Sequence, residues 1–377
     1  MNDVRRRLTA VAMAAAAGFA TLAVTATTAP AAQAAGVPRC AGQKATIVGT
    51  PRADRLRGTP KRDVIVARGG DDVVRGLRGN DVICGGPGDD RLLGQGGSDE
   101  LYGQRGADTL RGGSDRRWDD RGGSNLRGDT LDGGPGGDYL AGGFDPRAEK
   151  GKAYLNISPD TVSFRTASRG VRVDLAIADQ RVDGTALGAG HDTIHWQPVL
   201  GVVGSRHDDR IAGGHVAGEI WGLRGDDSVT TYLGGRSVDT GTFDGTYLAV
   251  GGPGRDTVTP QLFGDRGVYR IDAADGSAAY SKPTSGWEGG RAWSDVYRFE
   301  RWDLRQYHVG RVRFDGSDRA DTVTAGRAPL AAAMRRGDDV VRLGAGRDSV
   351  DGGAGSDTVT GARAGDSCTG VERGDCG

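Results

Sequence analysis

Aspartate recurs at a fixed interval in the first third of the chain. It stands at 54, 63, 72, 81, 90, 99 and 108, every ninth residue without a miss. Most of these carboxylates end a glycine-rich run, the clearest being Gly85-Gly86-Pro87-Gly88-Asp89-Asp90. Each precedes an apolar residue two places on: Leu56, Ile65, Val74, Ile83, Leu92, Leu101 and Leu110. If two nine-residue units make one coil, aspartates eighteen apart lie one above another. Stacked carboxylates repel unless a cation lies between them. A short carboxylate beside open turn carbonyls suits a hard cation that takes six to eight oxygen ligands, which points to calcium. Composition carries the same bias, with 44 Asp against 6 Glu and 44 Arg against 5 Lys.

The elements that must hold such rows follow from the spacing. Glycine supplies 67 of 377 residues, and it permits positive φ and close backbone approach, so the first six places of each unit predict a tight turn. The last three, of the type x-apolar-x, predict a short strand whose middle residue points inward. Two turns and two strands make one coil of a parallel solenoid, with strands ~4.8 Å apart along the hydrogen bonds. The predicted fold is therefore all-β, a parallel β-solenoid of nine-residue repeats. Residues 40–48 fit the frame with Ala45 in the aspartate slot, and read as a capping turn. The phase is lost after Gly112 and returns at Asp129, Leu131 and the run 133–143, which carries Asp138. A sparser set between 188 and 259 carries Asp192, Asp209, Asp227 and Asp256, with Gly218 in one slot. A last set carries Asp321, Asp339, Asp348, Asp357 and Asp366, with Leu330 filling the slot between the first two.

The pattern GGxGxDxUx, with U a large apolar residue, resembles the haemolysin-type calcium-binding repeat (RTX) family, whose fold is the parallel β-roll. The resemblance is strongest over 49–111 and 334–366. It implies that Asp54, Asp63, Asp72, Asp81, Asp90, Asp99, Asp108, Asp138, Asp209, Asp227, Asp256, Asp321, Asp339, Asp348, Asp357 and Asp366 are calcium ligands, aided by turn carbonyls. The pairs 54/72, 63/81, 72/90, 81/99 and 90/108 would frame five ions. Pairs 321/339, 339/357 and 348/366 would frame three more, and 209/227 one. Arg52 and Lys61 stand where the pattern has glycine. Residues 160–176 resemble the longer strands that link repeat blocks in this family, which implies a parallel β-roll with a wider, degenerate solenoid middle, only partly metal-binding. Asp89, in the fifth place where the family uses a backbone carbonyl, is expected to point to solvent.

The chain divides into a leader over 1–34, a repeat block over 35–145, a degenerate segment with an aromatic-rich insertion over 146–310, and a closing block and cap over 311–377. The leader has a basic start (Arg5, Arg6, Arg7), an apolar run from Leu8 to about Val24, and an Ala32-Gln33-Ala34 exit. That is the layout of a secretory signal cleaved near Ala34, so the mature chain is expected outside the cell. No later segment is apolar enough to span a bilayer. A formal charge of −1 offers no footprint for nucleic acid. Four cysteines in an exported chain suggest two disulfides with three possible connectivities. Cys368 and Cys376 could staple a cap, leaving Cys40 and Cys84 to pair by exclusion. A separation of 44 residues is close to two and a half coils, so the 40–48 turn must fold back.

Catalytic signals are weak. His191-Asp192-Thr193-Ile194-His195 imitates HExxH, but Asp stands in place of the Glu base and the context is strand and turn rather than helix. No GxSxG occurs. A non-catalytic, secreted calcium-binding protein is the expectation. The alternative is a carbohydrate-binding or carbohydrate-modifying solenoid with an extracellular glycan or cell-surface partner. Five of the six Trp (Trp196, Trp221, Trp287, Trp293, Trp302) and seven of the nine Tyr fall between 150 and 310. Such a cluster reads first as a broader core, with Trp287 and Trp293 the best exposed candidates. Arg55, Arg57, Arg75, Arg91 and Arg111 flank apolar places and read as solvated strand faces.

Overall fold

Apolar residues eighteen apart stack directly on one another, and that register builds two sheets. In the first sheet Leu56 pairs with Val74, Val74 with Leu92 and Leu92 with Leu110. In the second, Ile47 pairs with Ile65, Ile65 with Ile83 and Ile83 with Leu101, all in parallel. The computed structural model describes residues 37–114, 128–143, 160–175, 184–188, 190–195, 199–213, 219–233, 235–236, 243–244, 248–262, 268–274, 277–281, 292–305 and 310–376. Over these residues the fold is a parallel β-roll of two sixteen-stranded sheets with no helix. The leader expected over 1–34 lies outside them. Leu92, Leu101, Leu110, Leu131 and Leu140 are wholly buried between the sheets. Burying such a side chain stabilises by about 1.5–3 kcal/mol, so one leucine per unit builds a continuous core from a glycine-rich sequence.

Strands are longer than the x-apolar-x triplet in the clean block. Val73–Arg78, Val82–Pro87, Arg91–Gly96, Glu100–Arg105 and Thr109–Ser114 each run six residues, into the first places of the next unit. The second place of the turn still pairs, as Leu77 with Gln95 and Gly86 with Gln104, because it takes a positive φ that carries the ladder round the corner. The break after Gly112 does not disturb the stack. Leu131 pairs with Leu101 and Leu140 with Leu110.

The middle departs from expectation in kind. Residues 160–176 supply only the short strands Asp160–Ser163 and Arg172–Asp174, not long linking strands. The widening comes instead from two antiparallel meanders. In the first sheet Arg172–Asp174, Gly184–Leu187 and His191–Ile194 run back toward the N-terminal end, between Tyr139–Ala141 and Arg210–Ala212. In the second sheet Val268–Asp272, Ser277–Ser281 and Ala292–Tyr297 do the same, between Leu248–Val250 and Arg311–Asp315. Each meander sets three strands where a regular coil supplies one. One lies in each sheet, so the two sheets finish level.

The ends are built differently. Arg39–Cys40 and Gln43–Lys44 form an antiparallel hairpin that turns through Ala41 and Gly42, both at positive φ. This is the fold-back that the cysteine spacing demands: Cys40 packs with Val64, Val82 and Cys84 and is bonded to Cys84, Cα–Cα 5.7 Å. Outermost in their sheets lie the short strands Ile47–Val48 and Arg55–Arg57. At the other end Cys368 is bonded to Cys376, Cα–Cα 5.8 Å. Among the described residues no helix is long and apolar enough to cross a membrane.

Candidate metal centres

The sixth-place aspartates form rows along the edges of the roll, joined through the backbone. The amide of Asp54 donates to Asp72 Oδ1 (2.7 Å), that of Asp72 to Asp90 Oδ1 and that of Asp90 to Asp108 Oδ1 (both 2.8 Å). On the other edge Asp63 donates to Asp81 and Asp81 to Asp99, both at 2.8 Å. The pairs 209/227, 321/339, 339/357 and 348/366 meet in the same way, at 2.7–2.9 Å. Asp138 accepts from Asp108, and Asp256 from Asp227. Leu330, in the slot without a carboxylate, donates to Asp348 Oδ1. One oxygen of each carboxylate that follows another in its row is thus spent on the coil before it. The rows are not simply carboxylates facing each other across a gap.

Three more aspartates belong to the rows than the ligand set inferred from the repeat. Asp129 accepts from Asp99, Asp160 from Asp129 and Asp192 from Asp138. Their signal is the triplet Asp-Thr-apolar shared by 129–131, 160–162 and 192–194, which survives where the glycines do not. Glutamate also enters. Glu300 Oε2 accepts from Asp256 (2.9 Å) and Glu372 Oε2 from Asp357 (2.7 Å), each at the end of a run.

The second carboxylate oxygen decides what the rows can hold. In Asp72, Asp81, Asp90, Asp99, Asp108, Asp138, Asp192, Asp227, Asp256, Asp339 and Asp357 the Oδ2 atom is buried and has no hydrogen-bond partner. A buried, unpartnered carboxylate oxygen is costly. Its surroundings are oxygen-rich: a Cβ built on Gly85 would run into Asp90 Oδ2 and the carbonyl of Gly103 one coil on. Gly94 stands in the same way between Asp99 Oδ2 and the carbonyl of Gly112, and Gly103 between Asp108 Oδ2 and that of Gly133. The bare first-place glycine therefore keeps open a cradle of one carboxylate oxygen and one carbonyl oxygen. Among the described residues no three His, Cys, Asp or Glu side chains converge. This donor set suits calcium, which draws on carbonyls as readily as on carboxylates, and would not suit zinc.

Burial pushes these carboxyls up. Asp99 and Asp138 rise to about 8, and Asp90, Asp227 and Asp339 to about 7, against a usual value near 4, with neighbouring carboxylates of the row adding to the rise. Without a cation the rows resist full ionisation at neutral pH.

A second, outer row runs beside the first. Asp71 Oδ1 accepts from the amide of Asp89 (3.0 Å), Asp89 Oδ1 from Ala107 (2.7 Å), and Asn80 Oδ1 from Ser98 (3.3 Å). Asp208, Asp226 and Asp338 repeat the arrangement farther along. Asp89 is exposed, yet its carboxylate is not idle: it tethers the next coil. The expectation that it merely points to solvent is corrected, since a carboxylate or carboxamide in the fifth place can reach the fifth-place amide one coil on.

The competing signals fall into place. His191–Ile194 is a strand, and Asp192 serves the row. Residues four apart on a strand lie about 13 Å apart, too far for the two histidines to share one metal. Trp302 is buried against Phe299 and Phe314, edge to face with ring centroids 6.5 and 5.4 Å away. Trp221 is 38% exposed. Trp196 and Trp287 lie outside the described residues, and Trp293 falls on the strand Ala292–Tyr297. Arg55, Arg57, Arg75, Arg91 and Arg111 are all exposed.

Comparison with known families agrees with the geometry. The family model described as RTX calcium-binding nonapeptide repeat (4 copies) matches residues 48–83, 85–117 and 335–367. No curated protein matches the chain.

Proposed function

For a chain that carries RTX calcium-binding repeats, we propose an exported, non-catalytic protein whose fold is completed by calcium. The observation that carries this reading is the line of buried, unpartnered Asp Oδ2 atoms, those of Asp81, Asp90, Asp99, Asp108, Asp227, Asp256 and Asp357 each beside a turn carbonyl. Calcium bound there would neutralise the carboxylates and supply the missing partner for each. The chain's own residues do the rest. The first-place glycine keeps the cradle clear, the Oδ1 atom of each aspartate fixes the preceding coil, and the leucine column sets the spacing. Export is supported by the leader sequence over 1–34, and sequencing the mature N-terminus should find Ala35 or a close neighbour. The decisive measurement is a calcium titration of residues 35–377 after chelation, read by far-UV circular dichroism and protease resistance. Binding to a site that does not pre-exist contributes folding free energy, so both signals should rise with calcium. Identical spectra and digestion with and without the ion would end this reading.

A further inference from the structure

Building on that reading, we infer that the turns are of two chemical kinds, and that four of them are closed by a hydroxyl and take no calcium. These are the turns ending in Asp54, Asp63, Asp209 and Asp321, each with Thr or Ser in the second place: Thr50, Thr59, Ser205 and Ser317.

In each the residue does what the ion would do. Thr50 donates to Asp54 Oδ2 from its amide (2.5 Å) and its hydroxyl (2.9 Å), and Thr59 does the same to Asp63 (2.6 and 2.9 Å). Ser205 donates its amide to Asp209 Oδ2 (2.6 Å) and its hydroxyl to Oδ1 (2.7 Å). Ser317 donates its amide to Asp321 Oδ2 (2.6 Å). Each hydroxyl in turn accepts from the amide two residues on, at Arg52, Lys61, His207 and Arg319, 3.1–3.3 Å away. An ion entering such a turn must displace charge-assisted hydrogen bonds already made.

The backbone separates the two kinds independently. In the open turns the second residue has positive φ even when it is not glycine: Leu77 at 87°, Gln95 and Gln104 at 82°, Leu223 at 85°. That conformation is strained for a side chain and turns the second-place amide away from the carboxylate. None of the four hydroxyl residues has positive φ, and each presents its amide to Oδ2.

Position gives the closed turns a role. Asp54 and Asp63 begin the two N-terminal rows. Asp209 is the first aspartate of its row after the first meander, and Asp321 the first after the second. Four of the five runs among the described residues thus start on a turn that can form before calcium arrives, and the ion-dependent coils add to it; the fifth starts at Leu330, and its first carboxylate, Asp348, accepts from the amide of Gly344 (3.3 Å).

The chain contains its own reagent for a test. Residues 58–63 read Gly-Thr-Pro-Lys-Arg-Asp and residues 251–256 read Gly-Gly-Pro-Gly-Arg-Asp, differing only in the second and fourth places. Thr59→Gly/Lys61→Gly therefore writes an open turn where a closed one stands. Bound calcium is counted by elemental analysis after gel filtration, on the full mature chain. The double variant should hold about one more ion per chain than the parent. Ser205→Ala should keep the parental count while lowering the melting midpoint in chelator. An unchanged count in the double variant, or a lost ion in Ser205→Ala, overturns the assignment. Asp227→Asn, in an open turn, should lose at least one ion. A parent that binds none, or an Asp227→Asn variant that loses none, refutes the calcium reading itself rather than the division of the turns.

Discussion

Asp90 shows how much one side chain carries. Its Oδ1 holds the amide of Asp72, its own amide is held by Asp108, and its Oδ2 faces the cradle beside Gly85. Asp90→Ala should therefore remove a calcium ligand and leave the buried Asp72 amide unpaired, the latter alone costing about 1–3 kcal/mol. Asp54→Ala should cost less, because Asp54 Oδ2 is already engaged by Thr50. Asp89→Ala should be measurable too, about 0.5–1.5 kcal/mol, because it removes the tether on Ala107. Midpoints of calcium-induced folding for the three variants would rank them, and an Asp89 variant equal to the parent would dismiss the outer row. Acidity follows from the same residues. In chelator the carboxyls of Asp99 and Asp138, lifted to about 8 by burial, titrate above their unfolded values near 4. Their favourable contribution is complete below pH 4 and is lost as pH rises through 8. The calcium-free chain should melt higher at pH 5 than at pH 8, and saturating calcium should flatten or reverse that trend. A calcium-free midpoint that climbs with pH would contradict it.

At the scale of strands and turns, legibility divides sharply. The nine-residue frame, the inward leucines and the pairing at eighteen were all readable, because a period of nine with one apolar residue leaves a single way to stack. The meanders were not readable. Gly184–Leu187 and Ser277–Ser281 are held by antiparallel backbone pairing and carry no aspartate of the frame. The closed turns stood in plain sight in the second place, but the frame was indexed on its glycines and its sixth place, where Ser and Thr look like lapses. The fifth place hides its row differently, because the resemblance assigns that place only a backbone carbonyl and leaves its side chain to solvent. The N-terminal hairpin is the best isolated test of an element. Its disulfide closes a separation of 44 residues, worth about 4 kcal/mol in the chain-entropy account. Cys40→Ala/Cys84→Ala should free the 39–44 hairpin and speed proteolysis of the first two coils in chelator. Residues 334–366 should be unaffected, and uniform loosening along the chain would show that the staple is not local.

For the molecule as a whole, the two meanders compensate one another. Either alone would leave one sheet two strands taller than its partner, about 10 Å out of step. Together they let the regular alternation resume through Trp302, Val323, Val341 and Val359 on one side and Phe314, Ala332 and Val350 on the other. A stack of this kind has no internal reason to stop, and among the described residues its first strands lie outermost in their sheets. Arg55–Arg57 is three residues long, with both arginines exposed, and Ile47–Val48 is two. Short, cationic outer strands repel their own kind. Replacing Arg55 and Arg57 with threonine should let separate molecules join end to end in calcium, giving filaments visible by electron microscopy and a rise in light scattering with concentration. A variant that stays monomeric at high concentration would show that something other than charge guards the edge. Filament growth would instead identify these two exposed arginines as what keeps a self-similar chain from becoming a polymer.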